Sequence, residues 1–165
     1  MSRKPAAWPV WVVMITAISL EVVPLPGFMQ PLRPPWAAIA VIYWTMMWPR
    51  RFGLGAAWIV GITLDVLHGT LLGENAIALS IVAYLTLRFH LQIRIFPMWQ
   101  LTMTVFALLA TNAFVQFWID GVAGVGAAGI SRWTQVMTGA ILWPPLMALM
   151  DRVRVQIQTR GSAFI

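Results

Sequence analysis

The chain has 165 residues, 60% of them hydrophobic and 10% charged, with 11 basic side chains against 5 acidic ones and a net charge of +6. Soluble domains carry about 25% charged and roughly 45–50% apolar residues, so an ordinary soluble enzyme, a disordered tail and a coiled coil are excluded. There is no cysteine, which removes disulfides, thiol nucleophiles and thiolate metal sites.

The apolar residues fall into six blocks: Trp8–Leu25, Pro35–Trp48, Phe52–Leu72, Asn75–Leu87, Ile95–Ile119 and Ser131–Met150. A helix needs about 20 residues to cross a hydrocarbon core about 30 Å thick, with a range of about 17–25. Four blocks are long enough, whereas the second and fourth, 14 and 13 residues long, are short. The pattern predicts an all-α membrane protein, one polytopic domain over residues 1–165 with six transmembrane helices. With both termini in the cytoplasm, Arg3, Lys4, Arg50, Arg51, Arg88, Arg94, Arg152, Arg154 and Arg160 lie inside, and only Arg33 and Arg132 lie outside. That is the charge bias of a membrane protein over short loops. If the second block did not span, every later loop would change sides and the bias would weaken.

The first block begins after Arg3 and Lys4 but runs into Glu21 and Pro24 without a small-residue cleavage site, so a retained helix is expected. Trp8, Trp11, Trp36, Trp48, Trp99, Trp118 and Trp133 lie near block ends, where an aromatic belt belongs. Trp44, Trp58 and Trp143 lie deeper and are expected in packing. Because the basic residues separate apolar blocks, they point to anionic lipid rather than to nucleic acid.

The third block places Asp65 inside a span, where a charge costs about 2.5–3.5 kcal/mol and usually faces the bundle or a cavity. Every fourth residue around it is small: Gly53, Ala57, Gly61, Gly69 and Gly73. Such a stripe lets another backbone approach closely, either within the chain's own bundle or on a partner helix. An amide of the same shape is expected to replace Asp65 if it is a simple polar anchor. His68, three residues on, shares its face, as a hydrogen-bonded pair or a proton relay. Glu21, Asp65, Glu74 and Asp120 all fall toward the outer side, opposed only by Arg33 and Arg132. In the fifth block Thr104, Asn112, Gln116 and Asp120 recur at multiples of four. They form a polar face for interhelical hydrogen bonds or for a cavity. Trp143-Pro144-Pro145 is expected to kink the sixth helix.

No zinc-protease, serine-hydrolase or phosphate-loop pattern is present in the sequence. No catalytic residue, cofactor or metal is expected.

Ordered motifs go further. Leu32-Arg33-Pro34, Val41-Ile42-Tyr43-Trp44, Pro49-Arg50-Arg51-Phe52-Gly53-Leu54-Gly55, Gly61 through Gly69, Leu72-Gly73, Ala78 through Leu85, Leu142-Trp143-Pro144-Pro145 and Asp151-Arg152-Val153-Arg154 together resemble the MreD family of rod-shape-determining proteins. The resemblance covers roughly Leu32 to Arg154. Pro35 stands where the family often has a polar residue, which blurs the start of the second helix.

The resemblance implies a multi-pass protein of the bacterial inner membrane. It implies a fold like the six-helix substrate-binding subunits of energy-coupling-factor transporters, and no enzymatic activity. Its implied partner is MreC, a single-span protein, and through it MreB filaments, the RodA glycosyltransferase and its penicillin-binding transpeptidase. Two readings stand beside it: a vitamin-type transport subunit, suggested by Asn112 and Gln116, and an intramembrane or lipid-handling enzyme centred on Asp65 and His68.

Overall fold

The computed structural model of the protein describes residues 8–124, 126 and 129–162. Arg3 and Lys4, used in the charge argument, lie outside them. Among these described residues six α-helices follow one another: α1 (Trp8–Val22), α2 (Trp36–Met47), α3 (Leu54–His68), α4 (Glu74–Ile95), α5 (Met98–Ala123) and α6 (Gly129–Ser162). A short 3-10 turn, Gln30–Leu32, precedes α2, and there is no strand among the described residues.

The organising element is α2. Ten consecutive residues, Ala37 to Met46, are all buried, and Tyr43 and Trp44 are wholly enclosed. A helix that is apolar around its whole circumference belongs in a core. Helices α1, α4, α5 and α6 pack against it, while α3 lies on α4 and touches α1. The neighbour order is therefore α1, α3, α4, α5, α6 around α2. This explains the short second block. At 12 residues, α2 is roughly 18 Å long, and protein rather than lipid covers it.

The fourth block is corrected most. Its apolar run stops at Leu87, but α4 continues to Ile95 and has 22 residues. Arg88 and Arg94 are exposed on its last turns, where basic side chains suit the helix dipole, so polarity there does not end the helix. The turn into α5 is only Phe96 and Pro97, with Phe96 extended as a residue before proline must be. The third block is corrected in the other direction. Helix α3 ends at His68, not Leu72, because Gly69 takes a left-handed conformation (φ 64°) and caps it. The fifth block extends to Ala123. The sixth runs past Met150 to Ser162, with Pro144 and Pro145 inside the helix.

Helices α4 and α5 are long and apolar enough to cross a membrane, and Val10–Val22 and Leu54–His68 are shorter apolar helices. Large apolar side chains lie exposed on every helix except α2, alongside the exposed Arg88 and Arg94 of α4 and Arg152 of α6. Ile15, Val66, Ile95, Met103, Val122 and Ile141 are each more than three-fifths exposed. Trp44 and Trp143 are fully buried, as expected of packing residues, but Trp58 is half exposed on that outer surface, contrary to expectation.

Candidate functional site

Four of the five carboxylates and two of the arginines meet at one end of the bundle, where α1, α3 and α5 finish and α2, α4 and α6 begin. Each element delivers its charge for a local reason. Asp65, on the last turn of α3, reaches across the Gly69–Gly73 turn to the start of α4. It accepts from the backbone N–H of Gly73 (2.8 Å) and Asn75 (2.9 Å), the Asn75 amide (2.9 Å), the Thr70 hydroxyl (3.2 Å) and the Ala76 N–H (3.4 Å). The carboxylate thus satisfies the unpaired donors of a helix N-terminus and sits at its positive end. Asp65 is 1% exposed.

Helix approach makes that reach short. A Cβ built on Gly61 would lie 2.3 Å from the Ala76 Cα and 2.5 Å from its nitrogen. Only glycine allows α3 and α4 to touch backbone to backbone there. Gly73 (φ 103°) opens α4 in a conformation side chains avoid.

The same logic recurs at two other helix ends. Glu21, near the end of α1, accepts from the Ala37 N–H at the start of α2 (2.7 Å). Arg33 donates to the carbonyls of Glu21 and Val23, closing the C-terminus of α1. Arg132, on the first turns of α6, bridges Asp120 of α5 (2.5 Å) and Glu74 of α4 (3.2 Å). Glu74 and Asp120 are buried, so this cation ties three helices together. The Gln116 amide donates to the Asn75 side chain (2.7 Å), linking the two clusters. Glu21, Arg33, Glu74, Asn75, Gln116 and Arg132 line a cavity of about 230 Å³, together with His68, Asn112, Gln135, Pro35 and Ala38 of α2, while Asp65 and Asp120 stand behind its wall.

The six stripe positions separate into two kinds. Ala57, Gly61 and Asp65 lie buried on α3, with Gly61 against α4, while Gly53, Gly69 and Gly73 are cap and turn residues. The stripe is therefore not one continuous helix face. His68 is exposed at its own position and lines the cavity, but none of the Asp65 hydrogen bonds goes to it. Asn112 is buried, Gln116 is half-buried, and Thr104 spends its hydroxyl on the carbonyl of Gln100. Arg33 and Pro34 both line the cavity.

Asn75 is the residue sequence reasoning missed. Its signal is a polar side chain right after Gly73-Glu74, at the start of an apolar run. A second polar contact was also missed, at the opposite end: the Tyr43 hydroxyl donates to Asp151 (2.7 Å), which pairs with Arg154 (3.3 Å). Among the described residues, no three His, Asp or Glu side chains converge as a metal site.

An all-helical bundle with an apolar exterior, buried ion pairs at one end and helices able to cross a membrane defines a class of helical membrane-type proteins. Within it, the family model of "rod shape-determining protein MreD" matches residues 2–153, and the chain belongs to the MreD family of rod-shape-determining proteins. The curated "Rod shape-determining protein MreD" of Haemophilus influenzae is 24% identical over 151 residues, spanning 87% of this chain and 89% of that protein. No solved structure matches. Family membership supports a role in determining rod shape.

Proposed function

We propose that the chain is a non-catalytic scaffold of the bacterial cell-wall elongation machinery, crossing the inner membrane six times with both termini in the cytoplasm. It binds MreC through that protein's membrane helix, and so links MreB filaments to RodA and its penicillin-binding transpeptidase. The observation that carries this reading is the distribution of polarity. The charges at the bundle end are spent on one another and on helix termini, whereas α1, α3, α4, α5 and α6 each carry large exposed apolar side chains outward. Such a molecule presents helix faces to other membrane helices.

The polar cavity favours one second reading, the substrate-binding subunit of a small-molecule transporter. Its 230 Å³ falls below the roughly 300–1,000 Å³ of sites that enclose a drug-sized ligand, which weighs against a vitamin. The test is depletion in the rod-shaped host with complementation. The scaffold reading expects rounded, widening cells in which MreC and the RodA synthase no longer co-isolate. Normal shape with loss of uptake of a small nutrient would support the transporter.

A further inference from the structure

The two sides of the bundle differ in height. Helix α5 carries Trp99 and Trp118 on its outer surface, 69% and 65% exposed. Their separation along the helix is roughly 28 Å, which puts one tryptophan at each interface of a hydrocarbon core about 30 Å thick. Helix α4 beside it has 22 residues, a length of about 33 Å. That side fits an ordinary bilayer.

The side formed by α1 and α3 is shorter. Gly53 precedes α3 and the left-handed Gly69 caps it, so it has 15 residues and a length of about 22 Å. Its first end is marked as an interface by basic and aromatic residues. Arg50 and Arg51 stand just before it, the Arg51 guanidinium lies over the Trp48 ring (5.5 Å), and Trp11 of α1 lies beside Phe52 (6.5 Å). Its second end is the polar cluster around Asp65. Leu71 and Leu72 in the following turn are exposed, but irregular backbone does not face lipid within the hydrocarbon. The turn therefore bounds the span and does not lengthen it.

Between these ends α3 is apolar outward. Leu54, Trp58, Ile59, Val66 and Leu67 are 45–68% exposed. Thr63, also exposed, turns its hydroxyl back to the Ile59 carbonyl (2.8 Å). Within α3 the ionisable residues are Asp65, which is buried, and His68, the last residue. A bilayer of ordinary thickness would overrun this face. Tilting would shorten the span further. Arg50 and Arg51 can snorkel, whereas Asp65 is held by its hydrogen bonds to the start of α4.

We propose that the α1–α3 side of this protein thins the bilayer against it by about 8 Å, the difference between a core of about 30 Å and a helix of about 22 Å, while the α4–α5 side meets a bilayer of ordinary thickness. The occupant of the α3 face is lipid. The proposal rests on the membrane-spanning reading above and not on the choice of protein partner.

The test uses single cysteines in the full chain, which has none of its own, reconstituted in dioleoylphosphatidylcholine vesicles. Nitroxides at Leu54→Cys, Ile59→Cys and Leu67→Cys report depth by collision with oxygen, which favours the hydrocarbon, and with a water-soluble nickel chelate. Labels at Leu54 and Leu67 are both expected at headgroup depth, as are labels at Trp99→Cys and Trp118→Cys on α5. A second measurement reads lipid choice. Bimane at Ile59→Cys and at Ala107→Cys, exposed on α5, is quenched by a minor share of brominated dimyristoleoyl lipid. Quenching at Ile59 is expected to exceed that at Ala107 by about twofold or more, because short chains relieve the mismatch, and brominated dioleoyl lipid should show no such excess. A label at Leu54 or Leu67 as deep as Ile59, or equal quenching of the two sites by the short-chain lipid, overturns the proposal. A label at Ile59 shielded from both oxygen and nickel shows that protein covers the face, and overturns lipid as its occupant. A chain stripped from the vesicles by alkaline carbonate overturns the membrane reading itself, a failure distinct from an inserted chain that does not thin its bilayer.

Discussion

Gly61→Ala adds one methyl group, and the structure says where it goes. The new Cβ would lie 2.3 Å from the Ala76 Cα, 2.5 Å from the Ala76 nitrogen and 2.7 Å from the Asn75 carbonyl carbon. All three are backbone, so no side chain can swing aside, and α3 must retreat from α4 by roughly 1 Å to reach ordinary contact. Overpacking of this kind costs about 1–3 kcal/mol. The retreat also lengthens the bonds from Asp65 to Gly73 and Asn75, now 2.8 and 2.9 Å, each worth about 1.5–3 kcal/mol to a charged acceptor. A total loss of about 3–5 kcal/mol is expected. Gly55→Ala is the internal control on the same helix. Its Cβ would meet nothing within 4 Å, and alanine is the better helix former by about 0.5–1 kcal/mol. Thermal unfolding of both variants in one detergent, followed by tryptophan fluorescence, reads the difference. Gly61→Ala melting within about 0.5 kcal/mol of wild type, the range of an ordinary surface substitution, would refute the close approach of α3 and α4.

Asp65→Asn is expected to destabilise by about 2–4 kcal/mol, because the carboxylate faces only donors and one of the amide's two ends must present N–H to N–H. Equal melting of Asp65→Asn and wild type would count against that hydrogen-bond set. Arg132→Gln leaves Glu74 and Asp120 buried without their cation and should cost about 3–5 kcal/mol. Arg132→Gln combined with Glu74→Gln should recover part of that loss, and no recovery would deny the coupling. Since the chain has no cysteine, single-cysteine labelling in intact cells tests the topology. A cysteine at Gly124 should react with an impermeant reagent from outside and one at Arg51 should not, and the reverse would invert the proposed orientation.

Which residues the sequence revealed follows from what determines them. The apolar blocks located all six helices, because hydrophobic length is a property of single segments. The outer-side grouping of Glu21, Asp65, Glu74 and Asp120 with Arg33 and Arg132 followed from alternation of segments, and the structure brings these residues to one end of the bundle. Helix ends were harder. Nothing local distinguishes Gly69, which stops α3, from Gly61, which lies within it, since the first is a matter of backbone conformation and the second of a neighbouring helix. The regular spacing around Asp65 suggested one continuous face, yet three of its members serve as caps and turns. The continuation of α4 past Leu87 was hidden by Arg88 and Arg94, whose polarity reads as a loop in sequence and as a favourable helix C-terminus in structure. Pairings such as Gln116 with Asn75, 41 residues apart, depend on packing and leave no periodic trace.

The central claim is that this chain works by holding the membrane helix of another protein. Its most direct test is co-purification of the full chain with full-length MreC, set against MreC lacking its membrane helix, at matched expression in the same detergent. The account predicts a stable complex with full-length MreC and none with the truncated form, because the surface this chain offers is the apolar flank of its helices. Equal recovery of truncated MreC, or no complex with the full-length protein, would contradict it.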